Sequence, residues 1–270
     1  LGGGPFLSAR EPEEQHMSDS DMAAKPKSGE SWGELAKTVI YAGLIAIVIR
    51  TFLFQPFNIP SASMEATLLV GDYLFVQKFS YGYSRYTFPF GAWPVGDRMQ
   101  GRFMGREPDR GDVIVFKYPQ DNSTDFIKRL VGMPGETVQM KDGRLYINGQ
   151  IVPRKRVGDY VENFDGRENR VPQYEETLPN GKTYFTLDRD PDSPLDNTEL
   201  YRVPAGHYFM MGDNRDNSDD SRQAVGYVPY DNLEGKAMIR FFSTDGSARF
   251  WEVWKWPFSI RYSRILSLVN

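Results

Sequence analysis

"ELAKTVIYAGLIAIVIRTFLFQPF", residues 34 to 57, is a strongly apolar run, and where it ends decides how the rest of the chain is read. From Thr38 to Ile49 it carries no charge, 12 residues that by length alone suit a buried helix or the core of a signal peptide. Counted from Leu35 to Phe54 it gives 20 residues, roughly 30 Å of helix at about 1.5 Å per residue. Lys37 and Arg50 then lie near opposite ends, where long cationic side chains reach an interface. The expectation is a single transmembrane helix over 35–55. A core helix and a cleaved signal peptide are the alternatives, the second suggested by the small-x-small look of "SAS" at 61–63. Pro56 and Pro60 stop the helix in every case.

Upstream, residues 1–34 are expected to form a flexible tail, because residues 1–31 are polar and show no apolar periodicity. "LGGGPFLSAREPEEQH" before Met17 reads as an upstream extension or a non-native leader. Downstream the pattern changes to short β-branched and aromatic runs broken by Gly, Pro, Asp and Asn: "YLFVQKF", "DVIVFKY", "DFIKRLVG", "ETVQM", "GHYFMMG", "AMIRFF" and "FWEVWKW". "KDGRLYINGQIV" at 141–152 reads as a hairpin closed by Asn-Gly. The fold class is therefore mainly β: a transmembrane helix followed by a β-rich domain over 56–138 and 204–270, interrupted by an inserted polar β subdomain at 139–203. "DRDPDSPLDNTE" within that insertion is loop.

Composition narrows the chemistry. With 270 residues and 40% of them hydrophobic, the chain can build a real core. Its net charge of -4, without a basic stripe, excludes nucleic acid as a partner. The absence of cysteine removes thiol catalysis, cysteine-ligated zinc and disulfides, and two histidines, His16 and His207, are too few for an H-E-x-x-H zinc site. No metal or cofactor is expected. The nucleophiles that remain are serine and threonine, which need a base. His207 lies in an apolar strand, where a lone histidine is usually structural. A lysine can serve if burial holds it neutral, since desolvation is the effect large enough to lower a pKa near 10.4 by units. Lys128 in "TDFIKRLVG" shares a strand face with Phe126 and Leu130, and Lys117 in "VIVFKYP" has a similar setting, so periodicity leaves the two open. "GDNRDNSDDSR", residues 212–222, is too polar for a strand. It is either a surface turn, a calcium loop lacking the usual glycine and final glutamate, or a hydrogen-bonded wall with Asp220 and Arg222 paired.

Taken together, "IVIRTFLFQPFNIPSASMEATLLVGDYLFVQKFSYG", "RGDVIVFKYP", "DFIKRLVGMPGETV" and "MGDNRDNSDDSRQAVGYVP" resemble bacterial type I signal peptidase, the membrane-anchored serine protease with a Ser/Lys dyad. The resemblance implies Ser63 as nucleophile and Lys128 as general base. It implies an oxyanion hole from the Ser61 hydroxyl and the Ser63 N–H, Ser218 orienting the lysine, and Asp220 with Arg222 in support. The spacing Ser61-x-Ser63 is expected to put both hydroxyls on one face of an extended strand. Phe57, Ile59, Met64, Leu68 and Ile127 are then expected to line shallow pockets for small side chains, with Asp125 beside the substrate strand. The implied activity is removal of signal peptides from exported preproteins. The implied partners are those preproteins, membrane lipid and the secretion translocon. The implied location is the bacterial inner membrane, single-pass, with the catalytic domain on the periplasmic side. Proline usually stands in the family where this chain has Ala66. A self-cleaving repressor-like Ser/Lys protease and an inactive membrane-tethered peptide-binding domain are the competing readings. Of two aromatic stretches, "YGYSRYTFPFGAWP" at 81–94 is expected at the membrane interface and "FWEVWKWPF" at 250–258 in the core.

Overall fold

A computed structural model describes residues 2, 32–88, 101–164, 167–249 and 251–269. The expected tail lies outside these apart from Gly2 and residues 32–34, which already belong to a helix. The chain falls into two units, Leu1–Gly43 and Leu44–Asn270, taken separately below.

The helix, α1, covers Trp32–Phe52, with Glu34 in its first turn and Arg50 in its last, placements that favour the helix dipole. Every residue from Trp32 to Arg50 is exposed, so no face of it is packed as a soluble core helix would be. Its 21 residues make α1 a candidate membrane span by length and apolarity. It stops three residues short of the expected limit at 55, before either proline. The reason is competition for the backbone: Phe54–Asn58 is already strand β1, paired in antiparallel register with β2 (Asp72–Gln77). Pro56 is tolerated because β1 is an edge strand.

The large sheet continues with β3 (Val113–Lys117) and β4 (Asp125–Gly132). Next come β5 (Thr137–Lys141), β6 (Arg144–Ile147) and β7 (Gln150–Ile151), then β8 (Arg154–Phe164), β9 (Arg167–Thr177) and β10 (Thr183–Leu187). The chain ends with β11 (Tyr201–Arg202), β12 (His207–Met211), β13 (Val228–Pro229), β14 (Leu233–Ser243) and β15 (Ser267–Leu268). The main sheet has the order β1-β2-β14-β3-β4-β12-β13, with β15 added beside β14; β10-β9-β8 and β11-β5-β6-β7 form two smaller sheets between β4 and β12 in sequence. Asp142-Gly143 and Asn148-Gly149 close the β5–β6 and β6–β7 hairpins, all four at positive φ, as two-residue turns between right-twisted strands require.

β4 organises the interior because its alternating faces serve different clusters. Val131 joins Phe209 and Leu145 on one side, while Leu130 joins Ile114, Phe116 and Met210 on the other. A third cluster gathers Ile59, Met64, Leu68 and Leu74, with Ile127 against it. Of the two aromatic stretches, the second departs from expectation. In the first, Tyr81 is buried and donates to Asp112 (3.0 Å), while Tyr83, Tyr86 and Phe88 are half-buried; residues 89–94 lie outside the described residues. The second stretch is not core strand: Trp251–Lys255 is mostly turn, Trp256–Ser259 a short helix α2, and Trp251, Trp254 and Phe258 stand exposed. Pro257 cannot donate to a ladder, which removes the strand option there.

Candidate active site

The turn that follows β1 carries Ser61 and Ser63, but not as alternating strand positions. Ala62–Met64 is a 3-10 turn capped by Ser61 in extended conformation, and this brings the two hydroxyl oxygens to 3.4 Å. Ser63 is buried, Ser61 exposed. The two-residue spacing thus works through a tight turn rather than a pleat. Two residues beyond Met64, Ala66 has φ 88, a left-handed backbone that proline, fixed near -65°, cannot adopt. Ala66→Pro is therefore expected to destabilise the protein by more than about 1 kcal/mol, and Ala66→Gly to stabilise it slightly, both read as urea midpoints at unchanged m-value.

Opposite this turn, β4 presents Lys128. Its Nζ lies 2.7 Å from Ser63 Oγ and donates to the Ile127 carbonyl at 3.1 Å. The side chain is 3% exposed, and burial pulls its pKa down to about 8 against the opposing pull of Asp220, Asp219 and Asp213. Lys117, indistinguishable by pattern, sits in a different field. The β3–β4 register sets it against Asp125 (2.5 Å) and it also reaches Glu234 (3.3 Å). Burial works to lower its pKa, but these carboxylates outweigh it and the net shift is upward. One lysine is thus held charged while the other is brought toward neutrality beside a serine. His207 opens β12 with Nδ1 on the Ala205 carbonyl.

The loop after β12 does not wrap one centre as a calcium loop does, because its aspartates diverge. Asp213 takes the Arg129 guanidinium (2.8 Å on both oxygens) and the Thr67 hydroxyl (2.6 Å). Asp216 accepts the backbone N–H groups of Arg189 and Asp190 and lies near Asp188 and Asp196. Asp220 receives Arg222 Nε (2.9 Å) and Nη2 (2.8 Å) and the Gly212 N–H (3.0 Å). Burial alone raises the Asp220 pKa, but Arg222 and these donors overcome it and keep the carboxyl below its ordinary value. Ser218 is buried, yet its Oγ makes no hydrogen bond to Lys128 or to any described group, so the expected orienting contact is not formed here. It packs instead where the main chain passes closely: a Cβ on Gly212 would stand 2.2 Å from Ser218 Oγ and 2.5 Å from the Ser63 carbonyl oxygen.

The expected substrate pockets are partly closed. Met64 and Leu68 are fully enclosed and Ile59 nearly so, because the 3-10 turn directs Met64 inward; they form a floor rather than a surface. Phe57 and Ile127 are half-buried and Asp125 is exposed, with its carboxylate on Lys117. Several groups around the turn had no signal in the pattern. Asn214, fully buried, donates from its backbone to the Ser63 carbonyl (3.2 Å) and from Nδ2 to the Ala62 carbonyl (3.1 Å). Arg129 follows Lys128 directly and strand alternation sends it to the opposite face, onto Asp213. Glu65 and Arg189 meet at 3.2 Å across 124 residues, a contact no local pattern announces.

The sequence signature described as "Signal peptidase, peptidase S26" matches residues 32–242, most of the chain. The chain belongs to this family. It is 42% identical over 221 residues to signal peptidase I of Rickettsia conorii, covering 80% of each chain. It is 44% identical over 206 residues to the signal peptidase I of Rickettsia typhi, covering 74% of this chain and 76% of that one. A crystal structure of a signal peptidase I from Enterococcus faecalis aligns with 48% of this chain and 97% of its own at 30% identity and TM-score 0.29. Membership in the signal peptidase family disposes of the repressor-like reading and makes the chain a peptidase by family.

Proposed function

We propose that the chain is a membrane-anchored serine endopeptidase that removes N-terminal signal peptides from exported preproteins, cutting after small-x-small sequences. Ser63 is the nucleophile and neutral Lys128 the general base. The observation that carries this reading is the 2.7 Å contact between Lys128 Nζ and Ser63 Oγ inside a buried site that lowers the lysine pKa to about 8.

In the first step Ser63 Oγ attacks the scissile carbonyl carbon while its proton passes to Lys128. The oxyanion is met by the Ser61 hydroxyl and the Ser63 N–H. The Lys128 ammonium then gives its proton to the leaving amine as the C–N bond breaks, leaving an ester on Ser63. Water, deprotonated by Lys128, attacks that ester, and the carboxylate product departs as Ser63 regains its proton. Asp220 with Arg222 braces the loop carrying Ser218, whose part in this reading is to orient Lys128. Phe57, Ile127 and Asp125 present surface to an extended substrate; Ile59, Met64 and Leu68 set the depth beneath it and so exclude bulk. α1 anchors the protein in the inner membrane with the catalytic domain, 56–138 and 204–270, on the periplasmic side. The exposed Trp251, Trp254 and Phe258 suit contact with lipid, and the translocon is the source of substrate.

Incubating a purified preprotein with the detergent-solubilised protein and reading the cut by mass spectrometry tests the assignment. Cleavage after a small-x-small sequence is expected, lost in Ser63→Ala and slowed about 10²-fold in Ser61→Ala, as for one oxyanion donor. Binding of the signal peptide without any cleavage by folded wild type would instead favour the peptide-binding reading.

A further inference from the structure

Arg189 lies two residues beyond β10, in the inserted region, yet its side chain ends at the Ser63 turn. Its Nη1 donates to Glu162 of β8 (2.7 Å), and Nη2 donates to the other oxygen of Glu162 and to Glu65 (3.2 Å). Its Nε donates to Asn214 Oδ1 (3.1 Å), and its backbone N–H to Asp216 (2.6 Å). The strand end before it is tied to the same loop, since Leu187 exchanges backbone bonds with Asp213 and Arg215.

Asn214 is where these contacts become directional. Its carboxamide oxygen accepts from Arg189, while Nδ2 donates to the Ala62 carbonyl and, at 3.4 Å, to Glu65. A flipped amide loses both sides at once: an N–H would face the guanidinium and an oxygen would face two acceptors. Arg189 therefore dictates which way Asn214 points, and Asn214 holds the carbonyls of Ala62 and Ser63. Two carboxylates share the one guanidinium, and burial together with Glu162 pushes Glu65 up to about 7. Glu162 keeps the bidentate half of the fork, which leaves the Asn214 and Glu65 contacts as those aimed at the turn.

We infer that Arg189 is a positioning residue for the reaction at Ser63, through which the inserted subdomain fixes Asn214 and Glu65 and so sets the nucleophile turn against Lys128. This rests on the Ser63/Lys128 reading above. Arg189 touches neither reacting atom; it acts through Asn214 and Glu65. The inserted β8–β10 sheet then serves as a buttress for the catalytic turn.

The test is steady-state cleavage of the preprotein by Arg189→Ala, Arg189→Lys, Asn214→Ala and the Arg189→Ala/Asn214→Ala double variant, with Tm recorded for each. Arg189→Ala is expected to lower kcat about 10-fold or more with KM within about twofold, because small misplacements of a reacting group cost rate. Arg189→Lys keeps the charge against Glu162 but cannot supply the planar fork, so it is expected to stay slow while recovering most of the Tm. Adding Arg189→Ala to Asn214→Ala is expected to cost little more, since both remove one linkage. If Arg189→Ala turns over like wild type, or if Lys restores kcat along with Tm, or if the two losses multiply, Arg189 is a structural ion pair only and the inference is overturned. Should the Ala variant fail to fold, the Lys variant decides. Ser63→Ala run in parallel separates the two levels: full activity there removes the Ser/Lys reading itself, whereas inactivity there with a normal Arg189→Ala removes only the positioning role.

Discussion

Lys128→Ala is expected to lower preprotein cleavage by at least about 10³-fold, because the only amine touching Ser63 Oγ among the described residues is lost and nothing replaces it as a proton acceptor. The pH profile of the wild type is a sharper test than the loss itself. With the Lys128 pKa at about 8, only roughly 1% of the protein carries a neutral base at pH 6 and about half at pH 8. The rate is expected to climb about tenfold per pH unit below that point and level off above it. A profile flat between pH 6 and 8, or one falling toward alkali, is incompatible with a lysine base. The same shift has a stability side. A lysine whose folded pKa is depressed below its unfolded value of 10.5 leaves the unfolded chain holding more protons between about 8 and 10.5, so stability rises with pH across that window. Lys128→Met, which removes the buried charge while keeping volume, is expected to melt higher than wild type at pH 7, with the gap closing toward pH 10. A site that loses activity and gains stability in one substitution is what a strained catalytic group produces.

Gly212→Ala is the second large effect. The added Cβ meets Ser218 Oγ at 2.2 Å, its Cβ at 2.4 Å and the Ser63 carbonyl oxygen at 2.5 Å. None of these is the far end of a flexible chain. Ser218 is locked in a loop braced by Asp220 and Arg222, and the Ser63 carbonyl is held by Asn214. The turn must therefore move away from Lys128 or the loop away from the turn. Cleavage is expected to fall about 10²-fold or more, with a lowered Tm but retained far-UV circular dichroism. Activity within about twofold of wild type would mean that the close approach of the two loops is not needed for the reaction.

Much of the fold was legible in the sequence, and the reason is local. "DFIKRLVG" has the composition of a buried strand and became β4 over those same residues. "YINGQ" carries an Asn-Gly pair whose backbone preference closes a hairpin by itself. Most of the long apolar run reads as a helix from its length, and the family resemblance rested on motifs whose order along the chain needs no folding to be seen. Where the reading failed, a distant partner had overridden a local preference. α1 ends early because β2 captures Phe54–Asn58. Ser61-x-Ser63 looks like strand alternation, but Asn214 and the burial of Met64 hold it as a 3-10 turn. "FWEVWKW" has the letters of a core strand, but its described residues, 251–256, take no position in a sheet.

The sequence by itself determined the class of fold, the exclusion of thiol chemistry and of cysteine-ligated or H-E-x-x-H zinc, and the short set of serines and lysines from which a site could be built. Those are properties of composition and short-range pattern, and they survive without a partner. Periodicity alone left Lys117 and Lys128 open, and only the family resemblance chose between them. Lys117 and Lys128 have the same kind of strand neighbours, and their difference arises only when antiparallel register places Asp125 opposite one and Ile114 opposite the other, with Glu234 arriving from β14. Electrostatic energy depends on distance and burial, not on separation along the chain, so the charge state of these two amines was decided by the tertiary structure alone.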